Sequence, residues 1–168
     1  EIFQTFAPEA DWALFDLGRI TPEALAQRIA RRTGLGEDEL QRLIAGIPPH
    51  LTPLPGTVDL IHELKAAGHR LYYLSNMPAP YARHLTAVNP FFAQFEQGIF
   101  SADVQQIKPL PEIFATAQAR WPLREAPIFI DDVAHNTEAA QRHGWQTIEF
   151  KHPAQARAEL VALGCLER

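Results

Sequence analysis

Ala126-Pro127-Ile128-Phe129-Ile130-Asp131-Asp132, with Asn136 four residues on, reads as a short apolar strand that ends in two adjacent carboxylates and runs straight into a helical pattern. A strand of that kind is buried on both faces, and open α/β folds place their sites beyond the carboxyl ends of such strands. Two adjacent acids at that edge suit a hard metal ion. The competing reading, an acidic turn with an N-capping Asp, needs only one acid.

Outward from this stretch, strand and helix patterns alternate. On the amino-terminal side, Thr57 to Ala67 carries Val58, Ile61 and Leu64 on one helical stripe with Gly68 as its stop, and His69 to Leu74 reads as a strand. A helical region after Pro80, a loop at Asn89-Pro90, a weak strand over Gly98 to Ser101 and a helix from Glu112 to Arg120 follow. On the carboxyl-terminal side come a helix from Asn136 to His143, a stop at Gly144, a strand from Gln146 to Phe150 and a last helix from Pro153 to Leu163. This alternation predicts an α/β fold, a Rossmann-like three-layer arrangement of a parallel sheet covered by helices.

Before Pro48 the pattern is helical. Ile2 to Phe6 is interrupted by Pro8, and Thr21-Pro22-Glu23 then opens a helix with Leu25, Ile29 and Ala30 on one face and Gly34 or Gly36 as its end. Glu37-Asp38-Glu39 opens a second helix carrying Leu40, Leu43 and Ile44. Pro48, Pro49, Pro53 and Pro55 break regular structure between the two regions. We therefore divide the chain into a small helical domain over residues 1–50 and an α/β core over residues 51–168.

Composition narrows the chemistry. The chain has 168 residues, 46% of them hydrophobic, and a net charge of -5 with scattered basic residues, so it can bury a core but has no footprint for nucleic acid. No apolar run is long enough to span a bilayer, and the single cysteine, Cys165, allows no internal disulfide, which points to the cytoplasm. The seven histidines have no spacing suited to a transition metal. A small-molecule partner is expected.

Three strand ends finish in polar residues: Ser75-Asn76, Ser101 with Lys108 downstream, and Asp131-Asp132. Singly, Ser75-Asn76 reads as a turn and Lys108 as a solvated lysine. Together, a hydroxyl and amide, a lysine and a carboxylate pair make a phosphate site. In that site the carboxylates hold Mg²⁺, while Lys108 and Ser75 neutralise and bind phosphoryl oxygens.

In this combination the sequence resembles the haloacid dehalogenase (HAD) superfamily of hydrolases. Leu74-Ser75-Asn76 is similar to its second motif, Lys108-Pro109-Leu110-Pro111-Glu112-Ile113-Phe114 to its lysine motif, and Phe129-Ile130-Asp131-Asp132 with Asn136 to its fourth. The resemblance implies a HAD-like core with the helical region as its cap, close to the branch of glucose-1-phosphate-type phosphatases and the phosphatase domain of soluble epoxide hydrolases. It implies a Mg²⁺-dependent phosphatase of small phosphorylated metabolites, possible sugar phosphates among them, acting through an aspartyl-phosphate. Ser75, Lys108 and Asp132 would be catalytic, Ser75, Asn76 and Lys108 would bind substrate, and Asp131 and Asp132 would hold the metal, with Asp132 in direct contact. A metal-independent 2-haloacid dehalogenase and a non-catalytic scaffold on the same fold are the alternatives.

The family's nucleophile is an Asp at the end of the first strand. Asp16, after Trp12-Ala13-Leu14-Phe15, imitates it, but Gly18 stands where a general acid would follow, and the stretch reads better as part of the cap. The sequence thus predicts that the central strand with the nucleophile lies before Glu1, with Asp16 as the alternative.

Overall fold

The structure is a computed structural model that describes Ala7 and residues 9–167. The helical reading of Ile2 to Phe6 lies outside the described residues. In chain order the elements are α1 (Asp11–Asp16), α2 (Pro22–Thr33), α3 (Glu37–Gly46), a 3-10 turn (Pro48–His50), α4 (Pro55–Ala66), β1 (Tyr72–Ser75), α5 (Ala79–Val88), a second 3-10 turn (Pro90–Gln94), β2 (Gln97–Phe100), α6 (Ser101–Val104), α7 (Pro111–Arg120), β3 (Ile128–Asp131), α8 (Ala134–Arg142), β4 (Gln146–Glu149) and α9 (Pro153–Ala162). None of the described helices is long and apolar enough to cross a membrane.

The chain forms two compact units, one of residues 1–52, 75–88 and 99–107, the other of residues 53–74, 89–98 and 108–168. The first therefore takes in two segments that the sequence analysis assigned to the α/β region.

Within the first unit, the local signals set α2. Thr21 Oγ1 accepts from Ala24 N at 3.2 Å, Pro22 occupies the first turn, and Gly34 ends the helix with φ of 77°. Leu25, Ala26 and Ile29 from α2 pack with Leu40 and Ile44 from α3, Phe15 from α1 and Tyr81 from α5. The Phe15 ring meets Tyr81 edge-on at 5.4 Å. Tyr81 donates its hydroxyl proton to Ile44 O at 2.6 Å, and burial, reinforced by the Asp16 carboxylate, pushes that hydroxyl up to about 12.

Residues Trp12 to Phe15 are helical, so Asp16 closes α1 and does not end a strand. A run of four apolar residues suits either element, and here tertiary contacts select the helix. Asp11 accepts from Arg28 Nε at 2.6 Å and Arg32 Nε at 3.2 Å, while Trp12 meets Phe15 edge-on at 5.7 Å. Ser101, expected as a polar strand end beside the site, is instead fully buried. Its hydroxyl donates to Asp16 O at 2.5 Å and accepts from Met77 N at 2.8 Å, tying together three separated segments of the unit.

In the second unit, α4 and α9 pack through Leu60, Leu64, Ala156 and Leu160 against Ile148 of β4. Arg157 Nη2 lies 2.6 Å from Glu63 Oε1, and this bond holds the Glu63 carboxyl below the usual range. β3 and β4 are parallel, with Ile128 opposite Gln146 and Asp131 opposite Glu149. β1 pairs with β2. The four strands thus make two pairs, and among the described residues β1 and β3 each have a strand neighbour on one edge only. Trp121 stacks on Tyr72 of β1 at 4.9 Å and on Trp145 beside β4 at 6.1 Å, so aromatic packing links the pairs where no backbone ladder does.

β1 begins three residues later than the sequence suggests, because the side chains of His69 and Arg70 are used as anchors. The His69 ring lies 2.6 Å from Cys165 O, and Arg70 donates to Glu96 Oε2 at 2.7 Å. Phe92 and Phe95 pack edge-on against Tyr73 of β1 at 5.3 and 5.5 Å. The held Tyr73 ring lies over Gly98, where a Cβ would come within 2.0 Å of it. Gly98→Ala is therefore expected to destabilise the protein by about 1–3 kcal/mol, the usual cost of overpacking. A urea midpoint equal to that of the parent protein would contradict this packing.

Candidate active site

The carboxyl end of β3 carries the densest polar arrangement of the second unit. Asp131 is the last residue of β3 and is 8% exposed; Lys108, three residues before α7, is 7% exposed. Lys108 Nζ donates to Asp131 Oδ2 at 2.5 Å. The other carboxylate oxygen, Oδ1, accepts from Val133 N at 2.9 Å and from Asn136 Nδ2 at 2.9 Å. The bond from Val133 is the two-residue turn that Asp forms with its own backbone, and it aims the chain into α8. Both oxygens of Asp131 are therefore engaged inside the protein, which is what a buried carboxylate requires.

Local sequence explains this placement. Ile113, Phe114 and Ala117 bury one face of α7, with the Phe114 ring edge-on to Phe129 at 5.7 Å, so the residues ahead of Pro111 are carried to β3. Lys108 Nζ also lies 5.4 Å from the centre of the Phe129 ring. Asn136 sits in the first turn of α8, 5% exposed, and its second polar atom, Oδ1, is buried without a hydrogen-bond partner among the described residues.

Asp132, next in the chain, is exposed and its carboxylate has no described partner. The two adjacent acids thus have opposite environments: β3 ends at Asp131, and the chain bends at Asp132 on its way into α8. The candidate donors are hard oxygens, the exposed carboxylate of Asp132 and the buried, unpartnered Oδ1 of Asn136, and oxygens of this kind fit Mg²⁺ rather than a thiolate- or imidazole-seeking metal. No group of three or more His, Cys, Asp or Glu residues spaced to hold a metal occurs among the described residues. A cation here would draw its remaining ligands from water and substrate, as Mg²⁺ commonly does.

Of the residues singled out in the sequence, Lys108 and Asp131 are in contact, with Asp132 adjacent. Ser75 and Asn76 belong to the other unit, where Ser75 is the half-buried last residue of β1 and Asn76 follows it. The Val133 N–H and the Asn136 amide, which carry no role on sequence grounds, both hold Asp131. The four-residue offset from Asp132 to Asn136 was the available signal, because it puts Asn136 in the first turn of the helix behind the acid pair.

A model of haloacid dehalogenase-like hydrolases matches residues 9–144, most of the chain. This chain belongs to the haloacid dehalogenase-like hydrolases. Among curated relatives of the family, the sesquiterpene phosphatase astK of Aspergillus oryzae is 28% identical over 157 residues, covering 92% of this chain and 80% of the relative. An (S)-2-haloacid dehalogenase of Pseudomonas putida is 29% identical over 127 residues, covering 75% of this chain and 56% of the dehalogenase. Among solved structures, a HAD-family enzyme of Bacteroides thetaiotaomicron in complex with magnesium and inorganic phosphate superposes with a TM-score of 0.64. It is 25% identical, with 86% of this chain and 76% of that one covered. The chain is thus a HAD-like hydrolase with the HAD-like α/β fold, and its relatives include a phosphatase and dehalogenases.

Proposed function

We propose that this HAD-like hydrolase is a Mg²⁺-dependent phosphatase of small phosphorylated metabolites. The observation that carries the reading is the division of labour between the adjacent acids. Lys108, Val133 and Asn136 occupy the Asp131 carboxylate, while the Asp132 carboxylate stands exposed beside them. An exposed acid beside a buried one suits a reaction that uses a hard cation. The phosphatase name of the Aspergillus relative and the magnesium and phosphate bound by the Bacteroides enzyme support the same reading.

In this proposal Asp132 contacts the cation directly and Asp131 acts in its outer shell, oriented by Asn136 and Val133. Mg²⁺, when bound, neutralises charge on the phosphoryl oxygens. Lys108 adds a second positive charge to the same group, and Ser75 donates a hydrogen bond to it, with Asn76 shaping the site. The attacking group is a carboxylate that forms an aspartyl-phosphate, and Asp16, at the end of a helix, is not set on a strand as that attack requires. We assign residues 1–50 to the cap and residues 51–168 to the core, and place the protein in the cytoplasm because of its single cysteine.

The test is hydrolysis of p-nitrophenyl phosphate with Mg²⁺ and with EDTA, beside halide release from 2-chloropropionate. Phosphate release only with Mg²⁺ is the expected result. Halide release that persists in EDTA, without phosphate release, would replace the phosphatase with the dehalogenase.

A further inference from the structure

Lys108 meets β3 at two residues, both on one face of the strand. Residues two apart along a strand share a face, and in β3 the buried ones are Phe129 and Asp131, alternating with the half-buried Ile128 and Ile130. Lys108 Nζ donates to Asp131 Oδ2 at 2.5 Å and lies 5.4 Å from the centre of the Phe129 ring. An aromatic face attracts a cation out to about 6 Å from its centre. All three residues belong to the second unit.

The Phe129 ring is itself held. Phe114 of α7 stands at 89° to it with centres 5.7 Å apart, and Trp145, just ahead of β4, lies 5.9 Å away at 59°. Phe114 and Trp145 meet each other edge-on at 5.5 Å, and Trp145 Nε1 donates to Gln118 Oε1 at 3.1 Å. All three rings are buried, and in a close-packed interior such a group moves little. The lysine does not share that rigidity. Its ammonium is a compact charge on a flexible stem, so a carboxylate oxygen fixes its distance more firmly than its direction. Burial of the charge is costly as well, and the negative face of an aromatic ring offsets part of that cost without competing for the carboxylate.

We propose that Phe129 is a positioning residue of this hydrolase: the face of its ring holds the Lys108 ammonium in the place from which it meets the phosphoryl group. The inference rests on the phosphatase reading above. Phe129 acts through Lys108 and not by contact with substrate, and Phe114 and Trp145 support it by packing.

The experiment replaces Phe129 by mono-, di- and trifluorinated phenylalanine, which draw electron density from the ring face step by step while nearly keeping its shape. For each variant kcat and KM for p-nitrophenyl phosphate with Mg²⁺ are measured beside the melting temperature. The expected result is a kcat that falls with each added fluorine, by roughly tenfold across the series, the scale of a desolvated cation–ring contact. The melting temperature is expected to stay near that of the parent. The same series at Phe114 is the control for packing and is expected to keep the parent kcat. Phe129→Leu, which has no ring, is expected to lower both kcat and the melting temperature. A kcat that ignores fluorination at Phe129, that falls equally in the Phe114 series, or that only tracks a falling melting temperature overturns the inference and leaves the phosphatase standing. A parent protein that does not hydrolyse the aryl phosphate overturns both.

Discussion

Lys108→Met is expected to destabilise the protein by about 3–5 kcal/mol, the cost of removing one member of a buried ion pair. Both partners are more than nine-tenths buried and 2.5 Å apart. Methionine fills similar volume, so little of the loss would come from a cavity. The cost arises because the Asp131 carboxylate would stay in the interior with its Oδ2 unpaired, held there by Val133 and Asn136 at Oδ1. For a chain of this size the change corresponds to a fall in melting temperature of roughly 6–20 °C. Lys108→Met/Asp131→Leu should lose far less than the sum of the two single changes, because two unpaired charges are removed together. A melting temperature for Lys108→Met within a degree of the parent would show that the pair is not buried in solution.

Asp132→Asn should do the reverse, leaving stability almost unchanged and removing activity. The side chain is exposed and makes no described contact, and surface changes of that kind are usually within about 0.5 kcal/mol. If Asp132 holds the cation, the amide lacks the charge that competes for a strongly hydrated Mg²⁺. The expected outcome is a loss of about 10³-fold or more in kcat/KM on an aryl phosphate, since metal and Lys108 together offset the phosphoryl charge in the transition state. Calorimetric titration should show a matching loss of Mg²⁺ affinity without substrate. Retained activity and affinity in Asp132→Asn would sink the assignment of the metal to this acid. The two variants separate Lys108, whose loss is felt first in folding, from Asp132, whose loss is felt in chemistry alone.

Much of this was readable along the chain because the controlling interactions are local. Thr21-Pro22 and Gly34 bound α2 through caps that involve residues three or four apart. The short apolar run of β3 and the helix behind it are likewise local patterns, as are the three motifs that mark the family. Less readable were segments whose local signal is balanced. Trp12 to Phe15 could be strand or helix, and the helix is chosen by Arg28 and Arg32, 17 and 21 residues further on, reaching Asp11. Ser101 looked like a strand-end site residue because a sequence does not show that Asp16 O and Met77 N, 85 and 24 residues away, would use its hydroxyl.

For the acid pair itself the two kinds of information divide clearly. A short apolar run leading into Asp131 and Asp132 is legible along the chain, as is the order, that of a HAD-like hydrolase, in which Ser75, Asn76 and Lys108 accompany them. Which acid is locked inward depends on a contact between distant segments. Lys108 lies 23 residues from Asp131, and desolvation favours the arrangement in which their opposite charges are buried together, leaving the carboxylate of Asp132 in solvent.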